Sequence, residues 1–285
     1  MLNDNADIHV ELSGQACGAT VTNIDLSKPI SAEQVKQVRD AWLQHHVLAF
    51  PDQAMSDDDL ERFSLEFGPF GDDPFIASIE GRKHIVAVQR TAGETTPIFA
   101  EAWHTDWSFQ ATPPAGTCLY GITIPPHGGD TLFVDQHKAL QAMPKDLRAR
   151  LEGLSAIHSA RQGYSPEGAY GKGDAGRSMS IISSDDANAL QHHPILRAHP
   201  ETGELGVFGC AGYVLGFDGL ETSESDQLLM DLYHWQTQEQ FQYRHKWRPN
   251  MLLMWDNRSV MHMATGGYEG HARYLHRTTI AERVG

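Results

Sequence analysis

His104-Thr105-Asp106 places an imidazole and a carboxylate two residues apart. On an extended strand such residues share a face, the spacing that two neighbouring metal ligands require. The chain holds 16 histidines, so one HxD pattern is weak by itself. The pairs His45-His46 and His192-His193 read as surface or packing residues. A second half of the signal lies far downstream, where Val260-Met261-His262-Met263 follows Trp255-Asp256-Asn257-Arg258. A lone histidine in an apolar run is by default a satisfied core residue. The next run, Arg273 to Thr278, shifts that balance. Arg273 and Arg277 are four apart, so on a strand they share one face, roughly 13 Å from each other. Facing outward they are ordinary surface charges; facing inward, each needs an anion to offset its desolvation. Beside a metal site, a carboxylate ligand held by paired hydrogen bonds suits that need.

Two histidines and one carboxylate describe the facial triad of non-haem Fe(II) oxygenases. Three protein ligands leave room for a chelating 2-oxo acid and for O2.

The elements that must carry these residues are legible from periodicity and caps. Ser31 to His46 reads as a helix, with Ser31 and Gln34 forming a capping box and Val35, Val38 and Trp42 at helical spacing. A second helix starts near Ser56, carries Leu60, Phe63 and Phe67, and stops at Gly68. Pro144 opens a short helix that Gly153 closes, and Thr222 to Gln240 reads as a longer amphipathic one. Strands are expected at Val47–Phe50, Ile85–Val88, Thr117–Ile124, Leu132–Val134, Leu154–Ala160, Phe241–His245, Met251–Trp255, Val260–Met263 and Tyr274–Ile280. Many short strands with a few helices predict one mostly-β domain over residues 1–285, a double-stranded β-helix (jelly roll) core with helical additions. Gln162 to Asn188 fits none of these elements: Gly163, Gly168, Gly171, Gly173 and Gly176 lie among Ser and Asp residues. A loop this long in a compact domain is functional or disordered, and a lid over a site is the reading adopted.

Composition narrows the function. The formal charge is −15, from 22 basic and 37 acidic residues, which argues against a nucleic-acid phosphate backbone as partner. No run approaches the ~20 apolar residues of a membrane span, and the opening residues lack the pattern of a signal peptide. Cys17, Cys118 and Cys210 are scattered and form no CxxC pair, as reduced thiols of a cytoplasmic protein would be. A small-molecule substrate is the expected partner; whether the chain forms a homo-oligomer is left open.

The sequence resembles the taurine dioxygenase and 2,4-dichlorophenoxyacetate dioxygenase family. The matching motifs are Trp103-His104-Thr105-Asp106, Thr112-Pro113-Pro114-Ala115-Gly116, Gly128-Gly129-Asp130-Thr131, Trp255-Asp256-Asn257-Arg258, His262, and Arg273 through Arg277. They span the chain from about Val10 to its end in the family's order. The resemblance implies that His104, Asp106 and His262 hold Fe(II). It implies that Thr131 and Arg273 hold the distal carboxylate of 2-oxoglutarate, and that Arg277 lies near the chelating carboxylate and the substrate's anion. The implied reaction uses O2 to convert 2-oxoglutarate to succinate and CO2 while hydroxylating a substrate.

The chain departs from the taurine pattern. No histidine follows Phe67-Gly68, and Phe99-Ala100-Glu101-Ala102 precedes the first ligand. A substrate anionic at one end and apolar along its body is expected instead, with Phe75 and Trp107 against it; Phe70, Phe99 and Phe109 are further apolar candidates. For any one of these aromatics, plain core packing is an equal reading. Two other functions use the same triad: a non-catalytic metal-binding or sensor protein, and a zinc hydrolase. Neither has use for Thr131, Arg273 and Arg277 together.

Overall fold

The computed structural model describes residues 7–171 and 175–283, so Gly173 of the glycine-rich segment lies outside the described residues. Elements are numbered in chain order. A seven-stranded sheet runs β1 (His9–Leu12), β2 (Ala19–Thr22), β3 (Val47–Phe50), β13 (Met251–Asp256), β5 (Gly116–Thr123), β15 (Arg273–Ile280), β4 (Val86–Arg90). All its pairings are antiparallel except β2 with β3. A three-stranded sheet runs β12 (Gln242–His245), β6 (Thr131–Asp135), β14 (Val260–Ala264).

Side chains alternate across the large sheet and so serve two cores. On one face Leu48, Phe50, Cys118, Tyr120, Leu252, Met254 and Ile280 meet α1 (Ala32–His45) and α2 (Asp57–Phe67). On the other, Val47, Ala49, Leu119, Leu253, Trp255 and Leu275 pack on Phe133, Tyr243 and Val260 of the small sheet. The two sheets therefore lie face to face. Both helices start at the expected caps: the Ser31 hydroxyl accepts from Gln34 N–H, and that of Ser56 from Asp59 N–H. Asp57, Asp58 and Asp59 place negative charge in the first turn of α2, where the helix dipole favours it.

A further layer holds α3 (Gln136–Gln141), α4 (Lys145–Leu151) and α6 (Thr222–Gln236). Beside them lie the sheet β11 (Val214–Phe217), β7 (Ser155–His158), β8 (Gln191–Pro194) and the pair β10 (Leu205–Val207), β9 (Leu196–Ala198). Every expected strand and helix is present; β3 falls on its expected bounds and the others have ends moved by up to a few residues. α6 stops at Gln236, short of Gln240, because the chain turns there into Glu239–Phe241 and β12. Strands β1, β2 and β8 to β11 and helix α3 were not anticipated; they are short, and β8 (Gln-His-His-Pro) has no apolar alternation to reveal it.

Burial sets an acid limit on this fold. His158 and His245 are each pushed down to about 3, first by burial and then by nearby cationic groups. Unfolded, each takes a proton near the ordinary histidine value, whereas folded it does not. Their contribution is thus full above pH ~6.5 and falls as pH drops toward 3, at up to roughly 2.7 kcal/mol per pH unit for the pair. Urea midpoints should decline between pH 7 and 5; a flat profile would contradict the assignment.

Candidate metal centre

His104 and His262 face each other across a single antiparallel bridge closed by two backbone hydrogen bonds, His104 N–H to His262 O at 3.0 Å and His262 N–H to His104 O at 2.7 Å. His262 is carried by β14, as its apolar run implied. His104-Thr105-Asp106 differs from expectation: only His104 bridges, and Asp106 sits in the turn that follows, where Trp107 has φ +47°. The turn, not strand alternation, brings Asp106 to its partners. Ligand atoms of all three side chains lie within 4.8 Å of one another, the one such cluster among the described residues. Asp106 Oδ1 is 3.5 Å from His104 Nε2 and 3.8 Å from His262 Nε2.

The chemistry of these donors fits a divalent cation. His104 Nδ1 contacts the Ala102 carbonyl at 2.9 Å. A carbonyl can only accept, so Nδ1 carries a proton and Nε2 is the ring atom turned toward Asp106. Burial, with His104 and Arg277 adding to it, pushes His262 down to about 3 and keeps its ring neutral. Burial alone would raise Asp106, but the permanently charged Arg277 guanidinium leads the opposing interactions, and the carboxyl is held well below the usual range. A neutral His262, an ionised Asp106 and a His104 ring oriented by the Ala102 carbonyl form the donor set.

Asp106 is also braced from behind. Its Oδ2 accepts from Thr117 Oγ1 at 2.7 Å; Thr117 accepts from Asn257 Nδ2 at 3.0 Å, and Asn257 from Trp255 Nε1 at 2.9 Å. The neighbouring Asp256 takes Arg258 on both oxygens, at 2.9 and 2.7 Å, and His199 at 3.0 Å. The Trp255-to-Arg258 motif is thus a buried polar frame for the turn.

Arg273 and Arg277 both point inward from β15, 6% and 5% exposed. Their surroundings differ. Arg273 has no ion pair among the described residues; its guanidinium lies over the Trp247 ring at 5.7 Å, and burial lowers it to about 10. The Trp247 indole N–H also donates to Thr131 Oγ1 at 3.0 Å, so one ring orders both residues. Gly128 and Gly129 let the preceding chain pass this point with φ +69° and +67°. A Cβ on Gly128 would lie 2.3 Å from Gly267 O. Gly128→Ala should therefore cost about 1–3 kcal/mol of stability, read as a lower urea midpoint. No change would mean the loop is not constrained.

Arg277 is paired on both sides. Its Nη1 is 3.4 Å from Asp106 Oδ1 and its Nη2 is 3.0 Å from Asp73 Oδ1, with the guanidinium 5.0 Å over Trp107. A cavity of about 430 Å³ opens beside His104, lined by Ala100, Tyr164, Tyr170, Tyr213 and Met230 among others. Phe75 and Trp107 do not line it; both pack against Tyr164, which does.

The model of the taurine catabolism dioxygenase TauD, TfdA family matches residues 9–279. The chain belongs to this family. It is 31% identical to the alpha-ketoglutarate-dependent 2,4-dichlorophenoxyacetate dioxygenase of Cupriavidus pinatubonensis, over 93% of this chain and 94% of that one. It is 29% identical to an alkylsulfatase of Acinetobacter baylyi, over 94% and 83%. The crystal structure of a taurine dioxygenase from Burkholderia xenovorans superposes with a TM-score of 0.79 at 28% identity, covering 97% of this chain and 90% of that one. This TauD/TfdA-family protein is a 2-oxoglutarate-dependent dioxygenase. No helix among its described residues is long and apolar enough to cross a membrane.

In this dioxygenase the structure adds residues that sequence reasoning did not single out. Thr117 sits at the start of β5 and resembles any β-former; only its contact with Asp106 distinguishes it. Trp247 carried no motif. Asp73 belongs to the acidic pair Asp72-Asp73 that stands after Phe67-Gly68 in place of a cationic partner, a sequence signal against sulfonate binding that did not by itself point to Arg277.

Proposed function

We propose that the protein couples oxidative decarboxylation of 2-oxoglutarate to hydroxylation of a small organic substrate that carries an anionic group on an apolar body. The observation that carries this reading is Arg273: a buried guanidinium with no acid partner among the described residues, ordered together with Thr131 by Trp247. A buried cation left unpaired is costly, and a dicarboxylate ligand removes that cost. A zinc hydrolase would have no use for it.

In this reading His104, Asp106 and His262 hold Fe(II), which suits two imidazoles and a carboxylate with positions left open. Fe(II) bound there supplies O2 activation. Everything else falls to the chain. Arg273 and Thr131 grip the distal carboxylate of 2-oxoglutarate and fix which end meets the metal. Arg277 sets the field beside Asp106 and faces the substrate's charged end. The two facing sheets form a double-stranded β-helix core that holds these groups at rest. Substrates with an acid group on an apolar body, such as the 2,4-dichlorophenoxyacetate in the name of one relative, suit the cavity beside His104, with Tyr164 against it and Phe75 and Trp107 behind.

The segment from Gln162 to Asn188 is the lid of this cavity. It begins in α5 (Arg161–Tyr164), Ile181 bridges to Ile76, and Asp185–Asn188 forms a 3-10 turn. Tyr164 and Tyr170 line the cavity from it. Closure would exclude water during the reaction. Three buried free thiols suit the reducing cytoplasm.

The test is a substrate panel of aryloxyalkanoates, alkyl sulfates, sulfonates and amino-acid derivatives, with Fe(II), 2-oxoglutarate and O2. Succinate should form in step with product, Zn(II) should not replace Fe(II), and a coupled substrate should slow proteolysis of the lid anaerobically. Absence of succinate under every condition would overturn the reading.

A further inference from the structure

The two inward arginines of β15 are not equivalent: Arg273 has no acid beside it, whereas Arg277 has two. Asp106 faces the histidines and belongs to the metal triad. Asp73 has no such duty. It comes from the loop after α2, far from the triad in sequence, and its carboxylate is 7% exposed.

We propose that Asp73 is an internal competitor for the substrate's anionic group at Arg277, and so a specificity-determining residue of this dioxygenase. The inference rests on the reading above only in placing the substrate's charged end near Arg277.

The carboxylate is built in rather than incidental. Trp107 Nε1 donates to its Oδ1 at 2.8 Å, Thr279 Oγ1 lies 3.0 Å from each oxygen, and Arg277 Nη2 closes the set at 3.0 Å. Trp107 also lies under the Arg277 guanidinium, so one indole fixes both members of the pair. Once a divalent metal draws on Asp106, Asp73 is the charge that balances Arg277. A second anion arriving there meets a guanidinium already satisfied on Nη2, and a carboxylate that repels it through a weakly screening interior. Arg277 Nε carries no hydrogen-bond partner among the described residues, but a paired grip on the guanidinium that includes Nη2 requires Asp73 to turn aside. Asp73 also borders an open groove of about 590 Å³ lined by Lys83 and His84, a polar place for its carboxylate to turn into. Neutral head groups leave the pair intact and meet no such competition.

The experiment reads binding, not turnover. Wild-type protein and Asp73→Asn are loaded with Fe(II) and 2-oxoglutarate without O2. Dissociation constants for 2,4-dichlorophenoxyacetate and its uncharged amide are measured by tryptophan fluorescence. Asparagine keeps the shape and can still accept from Trp107 and Thr279, but removes the charge. The preference for the anion over the amide should rise at least about tenfold, as removal of a like charge beside a buried ion pair does. Asp73→Ser, smaller and uncharged, should move the ratio in the same direction and serves if the first variant does not fold. An unchanged or reduced ratio, or no anion binding by any of the proteins, overturns the proposal. Failure of wild-type protein to form succinate from 2-oxoglutarate would instead strike the oxygenase reading, and the binding ratio is independent of it.

Discussion

His104→Ala and His262→Ala are each expected to abolish 2-oxoglutarate turnover while leaving the fold in place. Each removes one of three donors that lie within 4.8 Å of one another. Changes to residues that only support metal ligands already cost roughly 10–100-fold, so loss of a ligand should exceed the upper end of that range. The two variants should differ in stability. His262 packs among Phe133, Trp255 and His104, whereas His104 also borders the cavity. Truncating the former should lower the thermal midpoint more. Metal content by elemental analysis and succinate by chromatography are the measurements. Succinate near the wild-type yield from either variant would remove the triad assignment.

The second large effect is on the co-substrate. Arg273→Met should raise the KM for 2-oxoglutarate by between about 30-fold and a few thousand-fold, from a charge-assisted contact worth roughly 2–5 kcal/mol. Methionine keeps much of the packing against Trp247, and the cation it removes has no acid partner among the described residues. Without 2-oxoglutarate the variant should thus be at least as stable as wild type. That combination, a large KM effect with no loss of stability, separates a ligand-binding arginine from a structural one. Thr131→Val should act in the same direction but less, because Thr131 is neutral. An unchanged KM in Arg273→Met would show that the distal carboxylate is held elsewhere.

Much of this was readable in one dimension. The capping boxes at Ser31 and Ser56 and the apolar runs of β3, β13 and β14 depend on neighbours in sequence, so periodicity and caps reveal them. Four-residue spacing puts Arg273 and Arg277 on one face of one strand, and Leu275 between them, packed against the small sheet, shows that this face points inward. The identities of His104, Asp106 and His262 were likewise legible, since metal chemistry restricts the residue types that can serve.

Tertiary structure decided what depends on contacts between distant segments. Asp106 reaches the histidines through a turn because His104 pairs with His262, a bridge that joins residues far apart in sequence. Thr117 and Asn257 brace that carboxylate from two different strand regions. Strands such as β8, short and polar, and β9, only three residues long, exist because partners pair with them, not because their own residues demand it. The sharpest case is the arginine pair. Sequence shows two identical guanidiniums on one strand; only the fold brings Asp73 to Arg277 and leaves Arg273 without an acid, because a charge's partners are set by what the chain packs around it.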